Sequence, residues 1–219
     1  MLTESHVLVR LAMNSTAEKH LYYGVSWNSY LQAREAIGDD SNLRLTFSRG
    51  VLEIMTPKRL HEQITRLIDM VVTLLGFELG INVDNSGSMT LSLESAQHAG
   101  EPDSCFYVGN EPVVRGLDEI DLQVHPPPDI VVEVDITSPS LDKFGLYSSA
   151  QIPEVWRFDG VHMTFYVLVC GKYDPVPHSQ SFSSLTPEML DSYLRSGREQ
   201  GSAAMLQKVK SDITLTTDS

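Results

Sequence analysis

At 219 residues, 42% of them hydrophobic and 21% charged, the chain has the composition of one globular domain with a real core, and a disordered or fibrous class is excluded. The 29 acidic residues outweigh 16 basic ones to give a net charge of -13, which argues against loose, non-specific adhesion to nucleic acid while leaving room for a local basic groove. The two cysteines, Cys105 and Cys170, lie in apolar runs without zinc-ligand spacing and read as buried free thiols.

No basic stretch followed by an apolar leader opens the chain, and no apolar run is long enough to span a bilayer. The expectation is a cytoplasmic protein with no membrane partner. Residues 1–24 read as an arm or edge element. Ser26 to Ile37 has helical spacing at Trp27, Tyr30 and Leu31, with Ser26 as cap and Gly38 as stop. Leu43 to Phe47 and Val51 to Met55 flank Ser48-Arg49-Gly50, a hairpin signal. The strongest helix runs from about His61 to Leu79, where Ile64, Leu67, Ile68, Val71, Val72 and Leu75 keep a 3.6-residue period.

Ile81 to Val83 and Ser88 to Leu93 are strand candidates separated by Asn/Ser/Gly turn chemistry. A strand follows Asp103, and residues 110–125 form a polar connection. Three prolines, 126–128, lead stiffly into Ile130 to Ile136, which is apolar on both faces and should be central in its sheet. Ser138 to Ala150 turns into a short helix bearing Lys143, Leu146 and Tyr147. Pro153 to Phe158 and Met163 to Cys170 pair around Asp159-Gly160. Thr186 to Arg195 fits a helix with Pro187 in its first position, and residues 199–219 read as a mobile tail. The sum is an α/β domain over residues 25–198, with a central mixed β-sheet flanked by α-helices.

Two apolar strand runs carry an acid, EPDSCFYV at Asp103 and PPPDIVVEVDITSPS at Glu133. A carboxylate among Val and Ile is costly unless it is paired or holds a cation. If the two strands pair, both carboxylates converge, and the Val134 carbonyl offers a further oxygen. Lys143 on the next helix and Glu62 on the first turn of the long helix complete the candidate set. Each has a plainer reading: a turn residue for Asp103, a paired buried acid for Glu133, a solvated lysine, and a helix-dipole partner for Glu62. His61 lacks a second histidine at i+4 and reads as a residue at the edge of such a site. Trp156 and Tyr147 read as core, Asp129 as a turn cap. Ser138 and Ser140 lack the context of a nucleophilic serine.

Pro102-Asp103 with Glu133 resembles the PD-(D/E)XK nuclease core. The ordered segments SRGVLEIMTP, HEQI, EPDSCFYV, PPDIVVEVDITSPS and KFGLYSSAQIPEVWRFDG resemble the Uma-two family of restriction-endonuclease-like proteins over residues 25–170. The resemblance implies a restriction-endonuclease-like fold and a nuclease using Mg²⁺ or Mn²⁺, held by Asp103 and Glu133. Glu62 and Lys143 match its remaining catalytic positions. Nucleic acid, DNA first, would be the substrate, and a homodimer is the expected assembly. One position departs: two residues after Glu133 the parent motif has lysine, and this chain has Asp135. Asp135 could be a third ligand, or mark a catalytically inactive interaction module on the same fold. A metal hydrolase of small phosphoesters is a third reading that suits the acidic surface.

Overall fold

The computed structural model describes residues 19–38, 43–136 and 143–217. They divide into two compact units.

The first unit comprises 19–38, 43–59, 90–101 and 143–150. Its antiparallel sheet contains β1 (Lys19–Tyr23), β2 (Arg44–Ser48), β3 (Val51–Met55), β5 (Leu91–Leu93) and β6 (His98–Gly100), in the order β1-β3-β2-β6-β5. Arg49 and Gly50 both take positive φ, the backbone a two-residue hairpin turn requires. Helix α1 (Trp27–Ile37) begins where Ser26 Oγ accepts the Ser29 N–H at 3.1 Å, and ends at Gly38 with φ 69°. Its Tyr30 and Ala33 pack on Leu45, Phe47, Leu52 and Ile54, with Tyr30 stacked on Phe47 at 5.3 Å. The α1 cap, its stop and the hairpin lie where the sequence places them. Helix α4 (Phe144–Ser149) packs on β6, since a Cβ on Gly100 would meet Leu146 at 3.3 Å.

The second unit comprises 60–89, 102–136 and 151–217. It holds β4 (Asp84–Gly87), β7 (Ser104–Tyr107), β8 (Ile130–Val134), β9 (Glu154–Phe158), β10 (Met163–Val169) and β11 (Lys172–Val176). The order is β11-β10-β9-β8-β7-β4, so β8 is interior, as its two apolar faces demand. β8 and β9 are parallel and the other pairs antiparallel, which makes this the expected mixed sheet. Helices α2 (Arg59–Leu79), α5 (Pro187–Gln200) and α6 (Ser202–Thr217) bury their apolar stripes with Ile130, Val132, Val134, Trp156 and Phe158 in one core. A four-residue α3 (Glu111–Val114) interrupts the polar connection.

Four local expectations are corrected. Asp84 to Gly87, read as a turn between strands, is β4 itself. It is a polar edge strand with a bulge between Asn85 and Gly87, so it lacks the apolar alternation of an inner strand. β11 carries Asp174 and Pro175 at the other edge and escapes notice for the same reason. Cys170 is exposed, because it turns the β10–β11 hairpin with φ 49°, while Cys105 is buried. Residues 202–217, read as a tail, form α6, whose Met205, Val209 and Ile213 enter the core at i, i+4, i+8 spacing. Ser138 and Ser140 lie outside the described residues. No helix among the described residues is long and apolar enough to cross a membrane.

Candidate active site

The centre of interest is the junction of β7 and β8 with the first turn of α2, all within the second unit. Ser104, Cys105 and Phe106 face Val132, Val131 and Ile130 in antiparallel register. Asp103, one residue before β7, straddles Glu133: its N–H donates to Val132 O at 2.9 Å, and its Oδ2 accepts the Val134 N–H at 2.7 Å. The two acids thus stand side by side at the end of adjoining strands, both nearly buried, Asp103 at 7% and Glu133 at 6% exposure. Ile130, Val132 and Val134 belong to the helix-covered core, so strand alternation sets Glu133 on the other face of the sheet.

His61 faces this pair. Its Nε2 lies 3.1 Å from Asp103 Oδ2, off the line that a hydrogen bond prefers, and its Nδ1 lies 3.9 Å from Glu62 Oε1. Both ring nitrogens are buried without a well-formed hydrogen bond. Burial disfavours the imidazolium, but the carboxylates of Asp103, Glu62 and Glu133 act together against it and raise the pKa above the ordinary histidine value. The residue read as peripheral in the sequence is therefore at the electrostatic focus of the cluster. The signal lay in its neighbour: His61 precedes Glu62 on the first turn of α2, where a one-residue step brings either side chain near the same strand ends.

The other candidates have the following neighbours within their own units. Glu62 is half exposed and touches the cluster through His61. Asp135 is held by Arg157, whose Nε donates to Oδ2 at 2.9 Å, and Arg157 is the register partner of Glu133 on β9. Lys143 stands in the first unit, at the N-terminus of α4, where its Nζ donates to the Glu101 carbonyl at 2.8 Å. Val134 is engaged through its N–H. Among the described residues, no three His, Cys, Asp or Glu side chains gather into a ready-made metal group. A pair of neighbouring carboxylates nevertheless suits a hard divalent cation, because Mg²⁺ commonly takes one or two carboxylates and completes its shell with water and substrate oxygens.

Two other acids of this unit, the half-buried Asp129 and the buried Glu154, have plain structural partners. Asp129 caps its turn by accepting from Val108 N, Asn110 N and Asn110 Nδ2. Glu154 accepts from Trp156 Nε1, Gln180 N, Ser181 N and Ser181 Oγ. Trp156 and Tyr147 are fully buried, as expected for core residues.

A putative nuclease of the DUF820 group from Anabaena variabilis ATCC 29413 has a similar fold, with a TM-score of 0.52 over 78% of this chain and 99% of that one, at 15% sequence identity. No curated protein matches the chain. A family model matches residues 27–195, a span that contains helix α2, the β7–β8 junction and the first part of α5. With that span covering most of its length, the chain belongs to the Uma2 family, described as "Putative restriction endonuclease".

Proposed function

We propose that the protein is a divalent-cation-dependent nuclease that hydrolyses phosphodiester bonds, with DNA as the first substrate to test. The observation that carries this reading is the pairing of Asp103 with Glu133 at the β7–β8 junction, faced by a histidine with a raised pKa. Membership in a family of restriction-endonuclease type supports the reaction class.

Asp103 and Glu133 would hold Mg²⁺ or Mn²⁺, which when bound supplies neutralisation of phosphate charge and a more acidic water. The Val134 N–H fixes one oxygen of Asp103, so the carboxylate turns its remaining lone pairs toward the site. His61 Nε2 faces Asp103, whose charge favours the imidazolium, and Glu62 lies on the other side of the ring. Asp135 drops out of the ligand set in this reading, because Arg157 already engages it. The part assigned to Lys143 rests on the family resemblance alone.

The test is cleavage of linear and circular DNA, and of RNA, with Mg²⁺, Mn²⁺ or EDTA. Loss of at least about 100-fold in rate is expected in Asp103→Ala and in Glu133→Ala, since each removes a ligand to the cation. Cleavage that persists unchanged in both variants would sink the reading. The alternative, a catalytically inactive module on the same fold, draws on Asp135 in place of the motif lysine. It would be favoured by the absence of any calorimetric Mn²⁺ signal near neutral pH.

A further inference from the structure

Beside the carboxylate centre, still within the second unit, lies a cleft between the start of α2, the β9–β10 turn and α5. Gln63, Phe158, Gly160, His162, Arg195 and Arg198 line it, together with the acids Asp191 and Glu199. Gln63 directly follows Glu62, and Phe158 directly follows Arg157, the register partner of Glu133. The cleft therefore shares the start of α2 and the end of β9 with the elements around the proposed site of chemistry.

Its walls are built rather than incidental. Asp159 Oδ1 accepts the N–H groups of Val161 and His162 at 2.8 and 2.7 Å, which folds the turn tightly and holds that carboxyl below its ordinary range. Gly160 has φ 100°, and a Cβ there would meet Ile136 O at 3.3 Å, so the lip is kept bare. Asp191 ties α5 to this turn: Oδ1 accepts the Met163 N–H at 2.7 Å, and Oδ2 lies 3.2 Å from His162 Nδ1. Leu194 is buried, which fixes the rotation of α5. Arg195 and Arg198, at i and i+3, then share one exposed face at the cleft.

Neither arginine has an ion-pair partner among the described residues, although Glu199 is close in sequence and Asp191 lies in the same cleft. In a chain of net charge -13, two uncommitted guanidinium groups in one concavity beside paired carboxylates are the natural seat for an anion. We propose that Arg195 and Arg198 form a phosphate subsite that grips the nucleic-acid strand one step from the scissile bond. This rests on the nuclease reading above.

The test measures anisotropy of a fluorescein-labelled single-stranded and a duplex 20-mer with the full chain in EDTA, where no cleavage occurs. Arg195→Ala/Arg198→Ala is compared with Lys172→Ala/Lys208→Ala, which removes equal charge from exposed positions off the cleft. The expected result is about tenfold weaker binding in the arginine variant, with the slope of log K against log salt shallower by about 1.5, and little change in the control. Arg195→Lys/Arg198→Lys should keep most of the slope. An arginine variant indistinguishable from the lysine control, in a protein whose cleavage still depends on Glu133, would overturn the subsite and leave the nuclease reading standing. A wild-type chain that binds neither oligonucleotide would overturn the subsite, while cleavage with Mg²⁺ or Mn²⁺ decides the nuclease reading separately.

Discussion

Two buried acids of the same sheet, Glu154 on β9 and Glu133 on β8, differ in the company they keep. Glu154 is fully buried and accepts from an indole N–H, two backbone N–H groups and a hydroxyl, all neutral donors of its own unit. That is the pattern of a carboxylate that fastens the loop around residues 180–181. Glu133 stands beside a second acid, Asp103, and both act on the ring of His61. Like charges side by side at low exposure raise the energy of the pair, and a cation lowers it. Burial of an acid is thus no sign of chemistry by itself; the sign of the charge that surrounds it is.

The comparison breaks most sharply in stability. Glu154→Ala leaves several buried donors without an acceptor and should cost about 4 kcal/mol, since each such group costs about 1–3 kcal/mol. For a chain of this size that lowers Tm by roughly 8–16 °C. Thermal melts in EDTA check it, and a Tm within 2 °C of wild type, taken as about the error of such a melt, would show that the donors find other partners. Glu133→Gln should act mainly on the chemistry. The amide keeps the shape of the side chain, so Tm should fall less than in Glu154→Ala, while cleavage falls at least about 100-fold, equivalent to about 2.7 kcal/mol of transition-state stabilisation. A variant that loses stability and keeps activity would make Glu133 a second Glu154.

A smaller effect tests the frame that carries the site. A Cβ on Gly197 of α5 would fall 2.9 Å from Met205 Sδ of α6 and 3.0 Å from both Leu67 methyls of α2. Gly197→Ala should therefore cost about 1–3 kcal/mol through overpacking, offset by the roughly 1 kcal/mol that alanine gains in a helix. Denaturant unfolding reads the difference, and a more stable variant would mean that α6 can move aside.

How much of this was legible beforehand depends on what the signal is made of. α1, the β2–β3 hairpin, α2 and β8 declare themselves because capping residues, turn residues and apolar periods are local. β4 and β11 do not, since edge strands need only one bonded neighbour and tolerate polar residues. α6 hides behind Ser, Lys and Thr, and only the spacing of Met205, Val209 and Ile213 betrays its buried stripe. Asp103 and Glu133 were readable as acids in apolar runs. His61 was not, because its weight comes from a strand 42 positions away in sequence (103 minus 61). The grip of Arg157 on Asp135 likewise arises only from the β8–β9 register, and no local pattern encodes it.

The finest test sets the histidines of the two units against each other. His98, on β6 in the first unit, is nearly buried, and burial together with the Arg49 charge depresses its pKa below the ordinary value. The unfolded chain, with histidine near 6.5, then takes up this proton at a higher pH than the native state does. The stability linked to His98 is therefore intact above about pH 6.5 and declines as pH falls from there toward the native pKa. His61 is shifted the other way, so its linked stability lies intact below that pH and fades as pH rises through its raised value. His98→Gln cannot titrate, and its melting temperature should gain on wild type between pH 7 and pH 5. His61→Gln should show no such gain there, but should close on wild type as pH climbs above 7. Parallel pH curves for wild type and His98→Gln would mean that the first unit opens enough near β6 to solvate the ring in the native state.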